Sequence, residues 1–243
     1  MLTRRHVLRG TAAGAILLAT GRATRAQADV RALSEGLATV LREALALGAA
    51  VRSGALSQTG WQDAIGPVLS RVPLDALRRE LDLEALRRRA RRVSRGCAVV
   101  PLTVPTDLGA GEGAAMRVFF FEAGRTDPPH VHFNSVTSHL VVEGRFRVQH
   151  WDRVREQPDG FVLRATHDRT VTVGESTSIS EARDNAHWHQ CLSRGVLLDV
   201  EQGRLDPSIP PRRRQMIDLS TQRADGEFLA RAIGQATALH RYG

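Results

Sequence analysis

From Ala98 to about Gln202 the chain is cut into short β-rich runs by Gly, Pro, Asp and Asn. The runs are AVVPLTV (98–104), AMRVFFFEA (115–123), HVHF (130–133), TSHLVVE (137–143), RFRVQHW (145–151), FVLRA (161–165), TVTV (170–173), STSIS (176–180), AHWHQCL (186–192) and VLLDVEQ (196–202). Many short strands at close spacing, bounded by turn residues, predict a mainly β sandwich or barrel.

The flanks have a different texture. In 29–95, Leu33, Leu37, Val40, Leu41, Ala44, Leu45, Gly48 and Val51 recur at spacings of three and four, which predicts a helix. A second helix is expected over Gln58–Arg71 with Trp61, Ile65 and Leu69 on one face, and a third over 74–95 after Pro73. In the third, Leu74, Leu77, Leu81 and Leu86 face the core. The arginines around Arg87–Arg89 form a solvated face partly neutralised by Glu80, Asp82 and Glu84. Residues 203–223 read as a loop, and the chain from Gly226 as a terminal helix. The expected organisation is therefore a signal segment 1–28, a helical segment 29–95, a β-barrel 96–203, and a loop and helix 204–243.

Seven of the nine histidines lie between 130 and 189. Side chains at i and i+2 of a strand share a face, so His130 and His132 project together, as do His187, His189 and Cys191. If those two strands are neighbours, His130, His132 and His187 converge on one point. Imidazole suits Fe, Zn, Cu or Ni. A copper site of His187, His189 and Cys191 is the alternative grouping, without a nearby methionine for the usual axial ligand. His150, His167 and His240 read as surface or satisfied core residues.

The segment GRTDPPHVH, Gly124 to His132, resembles the opening of the cupin signature, and Gly144 falls at its closing glycine. The resemblance implies a cupin-type double-stranded β-helix (jelly-roll) barrel, flanked here by the N-terminal helical segment and a C-terminal helix. Thr137 occupies the position of the cupin glutamate ligand, which disfavours the manganese cupins that decarboxylate oxalate. Within the superfamily the chain is most similar to the cysteamine dioxygenase and plant cysteine oxidase family, over roughly residues 75–202. The residues carrying this are His130-Val-His132, LVVEG, RVQHWD ending at Asp152, Asn185-Ala186-His187 and Leu198-Asp199. The resemblance implies that His130, His132 and His187 bind Fe(II), with Ni, Zn, Cu or Mn as alternative ions. It also places Asp199 near the metal, as a supporting or substrate-contacting group. The implied activity is oxidation of a small thiol by O2 to a sulfinic acid. Phe133-Asn134-Ser135 replaces the family's Pro-Gly-Met, His139 replaces a small residue and is expected by parity with Thr137 to face the cavity, and His189 replaces an aromatic. Thr137, His139 and Asp199 are candidates for orienting the ligands. A non-thiol cupin dioxygenase and a non-catalytic metal- or ligand-binding module stay open.

The segment MLTRRHVLRGTAAGAILLATGRATRAQA has paired arginines, a short apolar stretch and an A-x-A site. This resembles a twin-arginine export signal and predicts a periplasmic or secreted protein that engages the twin-arginine machinery. No other apolar segment is long enough to span a bilayer. The signal's five arginines account for much of the formal charge of +8, leaving +3. All 34 basic residues are Arg, so the basic balance is no argument for nucleic acid as a partner. Export would permit a Cys97–Cys191 disulfide, and two separate thiols are an equal alternative.

Overall fold

The computed structural model describes residues 28–29, 33–90, 92–209, 214–222 and 226–243. The expected export signal lies, except for Ala28, outside the described residues. A two-residue strand β1 (Ala28–Asp29) precedes four helices: α1 (Glu35–Arg52), α2 (Gln58–Leu69), α3 (Leu74–Glu80) and α4 (Leu83–Arg89). The α2 helix starts where the Ser57 hydroxyl accepts the Gly60 N–H at 3.0 Å, a satisfied N-cap. The single helix expected over 74–95 is two. Asp82 adopts φ 44°, and its carboxylate accepts the Ala85 N–H, so it ends one helix and caps the next.

The strands are β2 (Ala98–Thr103), β3 (Ala114–Phe121), β4 (Thr126–Val131), β5 (Ser135–Gln157), β6 (Gly160–Thr172), β7 (Ser176–Ile179), β8 (Ala186–Gly203), β9 (Gln215–Gln222) and β10 (Glu227–Ala232); helix α5 spans Gln235–Tyr242. Three pairs of expected short strands are continuous: TSHLVVE with RFRVQHW in β5, FVLRA with TVTV in β6, and AHWHQCL with VLLDVEQ in β8. A ring of antiparallel pairings runs β5–β6–β10–β9–β4–β8 and back to β5, closing a six-strand barrel. β3, β2 and β1 extend the sheet beyond β8, and β7 lies beside β5. The expected mainly β barrel with helices at both ends is the observed architecture.

The C-terminal expectation is corrected. Residues 215–222 and 227–232 are strands rather than loop and helix, and the helix begins only at Gln235. Ile217 and Ala230 are fully buried with Phe161 and Leu163. A run as short as EFLARA is ambiguous between helix and strand, and here ladder pairing to β6 and β9 decides it.

The two faces of the sheet have different neighbours. Met116, Val118, Phe120, Leu140, Val142, Val196, Leu198 and Val200 form one apolar cluster with Leu37, Leu41, Trp61, Ile65 and Leu77 of the helices. The helical segment therefore covers the outer face and shares a core with the barrel. Gln62 of α2 adds polar ties, donating to the Ser178 carbonyl at 3.1 Å and accepting from the Ser180 hydroxyl at 2.7 Å. Trp61→Ala is expected to lose about 3–5 kcal/mol, the range for deleting a large buried aromatic. A denaturant titration following the whole protein should show one lowered midpoint. Barrel signals that stay at the wild-type midpoint would refute the shared core.

Gly144 sits within β5 at φ 82°, and an added Cβ would lie 2.5 Å from the Arg194 carbonyl oxygen. Successive register shifts against β8 fall between Val141 and Phe146. They change which parity faces inward, from Thr137, His139 and Val141 to Phe146, Val148 and His150. Gly144→Ala is expected to cost at least about 2 kcal/mol, from backbone strain plus the clash. Thermal melting checks it, and an unchanged midpoint would contradict the assigned bulge.

Candidate metal centre

Inside the barrel one end is apolar and the other polar. Phe119, Phe121, Val141, Phe146, Val148, Val171, Cys191 and Leu197 fill the apolar end. The polar end opens into a cavity of about 780 Å³, bordered by His130, His132, His139, Asp199, Arg117 and Arg214 among others.

Register explains the convergence of histidines. β8 lies between β4 and β5, so His187 is directly opposite His130 on one side and His150 on the other. One inward position further along β8, His189 is opposite Asp127 and Val148. His132 lies just past the end of β4, partly exposed at the cavity. The rings of His130, His132 and His187 have centroids 4.2 to 5.1 Å apart. A nitrogen from each falls within 4.8 Å of the others. The structure thus brings together the three residues singled out in the sequence.

The local chemistry of the trio fits a metal. The Nδ1 of His130 lies 2.7 Å from the Pro128 carbonyl oxygen, to which it can only donate, leaving its Nε2 with a lone pair. That Nε2 is 3.0 Å from Nε2 of His132. Two imidazole nitrogens bonded to one ion at about 2.1 Å and at right angles stand about 3 Å apart. Both ring nitrogens of His187 are buried without a hydrogen-bond partner. Buried polar atoms of this kind are costly unless something satisfies them.

Burial holds these rings neutral, the form that binds metals. It drives the imidazoles of His130, His132, His187 and His189 well below their ordinary range, with mutual repulsion among them adding to the effect. The His139 ring is pushed down to about 3, chiefly by burial.

Asp199 is buried on the cavity wall. Its carboxylate accepts from the Thr137 hydroxyl at 2.9 Å and from Arg117 at 2.6 Å, and it lies 3.5 Å from Nε2 of His139. Arg117 also pairs with Glu201. Burial raises the Asp199 and Glu201 carboxyls against the opposing pull of Arg117. Across the cavity, Arg214 contacts both oxygens of Asp127 at 3.1 Å.

Some expectations are corrected. His150 is neither on the surface nor satisfied by a hydrogen bond. It is buried, both ring nitrogens lack a hydrogen bond, and its nearest carboxylate is Asp184 at 3.9 Å. Strand parity counted from His139 points position 150 outward; the bulge near Gly144 turns it inward. Cys191 is not part of a histidine grouping. Its thiol faces the Ser193 carbonyl among the phenylalanines, which removes the copper grouping. Cys97 and Cys191 are both free thiols, packed in the same apolar cluster. His167 and His240 are exposed, as expected. Arg117, Asp127, Glu201 and Arg214 were not singled out in the sequence. Parity with Phe119 and Asp199 could have found Arg117 and Glu201; nothing local marks Arg214, which falls in the segment read as loop.

No protein-family model matches the sequence, and no curated protein does. Among solved structures, the chain is similar to an 11S globulin from Wrightia tinctoria (18% identity, TM-score 0.37), covering 48% of this chain and 27% of that one. It is similar to KdgF from a Halomonas species (16% identity, TM-score 0.35; 49% of this chain, 90% of that one). It is also similar to an RmlC-like cupin from Shewanella frigidimarina (18% identity, TM-score 0.35; 49% and 87%). The chain thus spans about a quarter of the globulin and most of the two smaller proteins. Among the described residues, no helix is long and apolar enough to cross a membrane.

Proposed function

We propose that this chain is a cupin-type, iron-dependent dioxygenase that oxidises a small thiol to a sulfinic acid. The supporting observation is the convergence of the His130, His132 and His187 nitrogens at the edge of a polar cavity. The balance is RSH + O2 → RSO2H, with both oxygen atoms transferred to sulfur. Fe(II) held by three neutral imidazoles would keep its full charge and open positions, and supply a centre where thiol and O2 meet.

The protein's own residues have separate tasks. The Pro128 carbonyl fixes the His130 tautomer and ring direction. Asp199, held by Thr137 and Arg117, is placed to contact the polar end of a substrate. Phe119 and the apolar residues packed with it form a hydrophobic wall beside His139. A second reading, a cupin dioxygenase acting on an organic acid or diketone, is supported by the extra cavity histidine His139 and by Phe133-Asn134-Ser135 in place of the thiol family's Pro-Gly-Met.

The deciding experiment combines metal analysis with an oxygen electrode. Iron-loaded protein should consume O2 with cysteamine, cysteine or mercaptopropionate. Iron-loaded, folded protein that consumes none with any thiol would remove the thiol reading, and uptake with organic acids alone would install the second. The reading includes twin-arginine export to the periplasm on the strength of residues 1–28. Replacing Arg4 and Arg5 with Gln should leave the precursor in the cytoplasm, and unchanged export would overturn it.

A further inference from the structure

The His187 ring belongs to a second group of three. Its centroid is 5.3 Å from His139 and 4.9 Å from His189, and those two are 4.5 Å apart. One nitrogen from each again lies within 4.8 Å of the others. All three residues are buried.

The hydrogen bonding of this group is incomplete in a specific way. Of its six ring nitrogens, five are buried with no hydrogen-bond partner: Nδ1 of His139, and both nitrogens of His187 and of His189. The sixth, Nε2 of His139, faces Asp199 at 3.5 Å. A proton on that nitrogen, turned toward the carboxylate, leaves the lone pair on Nδ1. Carboxylate-oriented imidazole is a common support for a metal ligand. Leaving a buried polar group unsatisfied costs about 1–3 kcal/mol, and one ion would engage three of these five nitrogens, one from each ring.

We propose that His139, His187 and His189 form a second position for a divalent transition-metal ion, one step deeper in the barrel than the first. Its three nitrogen donors suit Co, Ni, Cu, Zn or Fe and not Mg or Ca. Asp199 acts as the positioning residue for His139. The inference stands apart from the thiol reading, because it concerns only where an ion is held.

The test is titration of metal-stripped, full-length protein with Co(II), read by visible absorption and by the metal-induced rise in melting temperature. In the His130→Ala/His132→Ala variant, Co(II) should still bind and still raise the melting temperature, held by His139, His187 and His189. Adding His189→Ala should abolish the absorption and the rise. A folded His130→Ala/His132→Ala protein that takes up no Co(II) overturns the proposal, as does uptake indifferent to His139 and His189. The latter result would assign the orphan nitrogens to buried water. If that double variant fails to fold, His132→Ala alone, at the partly exposed ligand, gives the same readout. Loss of Co(II) only in the His139→Ala/His189→Ala variant would instead remove the first position and leave the second.

Discussion

His187→Ala should reduce bound metal from about one equivalent or more to background, and oxygen uptake with it. His187 is the member common to both histidine groups, so no full set of three survives its removal. The loss is expected to be specific. Truncating a fully buried ring leaves a cavity that destabilises by about 2–5 kcal/mol. It also removes two unpaired nitrogens, each worth about 1–3 kcal/mol in the opposite direction. The metal-free variant should therefore fold with a stability near that of metal-free wild type. Metal should raise the wild-type melting temperature and leave that of the variant unmoved, because only binding to the folded state stabilises. Elemental analysis and paired melting curves check this. A His187→Ala protein that keeps its metal would end the proposed centre.

Metal-free protein should lose stability steeply on mild acidification. Burial holds the imidazoles of His130, His139, His187 and His189 well below their ordinary range. In the unfolded chain they titrate near the usual 6.5. As pH falls through that value, the unfolded state takes up protons that the folded state refuses, so stability falls with pH. The loss begins near the unfolded value and continues toward the depressed folded ones. Between pH 7 and 5.5 a ring that stays neutral in the fold contributes about 1 kcal/mol, and several such rings act in the same direction. Bound metal and protons compete for the same lone pairs, so metal affinity should fall in the same window. Urea titrations at the two pH values measure the effect directly. A metal-free protein equally stable at both would mean that the rings are hydrated and titrating in the fold.

Much of the architecture was legible because it depends on local periodicity. The spacing of Leu37, Leu41 and Leu45 marks α1, and Trp61, Ile65 and Leu69 mark the buried face of α2. The β texture after Gly96 marks the barrel. The pair His130 and His132, and the pair His187 and His189, could be assigned to common faces from period two alone. Other features needed contacts far apart in sequence. EFLARA is compatible with a helix until β6 and β9 offer it ladder partners. Arg214 reaches the cavity only because β9 follows it back beside β4. His150 depends on a bulge whose parity change is invisible in an alternation count.

The amino-acid order by itself determined a helical segment ahead of a β-barrel, and histidines spaced to share faces. Those properties follow from the fixed rise and rotation per residue of each backbone conformation. Only the tertiary structure decided that β4, β8 and β5 are neighbours, in a register that stacks His130, His187 and His150 in one row. It alone decided that His187 stands between two possible sets of ligands. Register comes from ring closure and bulges, which are set by pairing energies between distant segments.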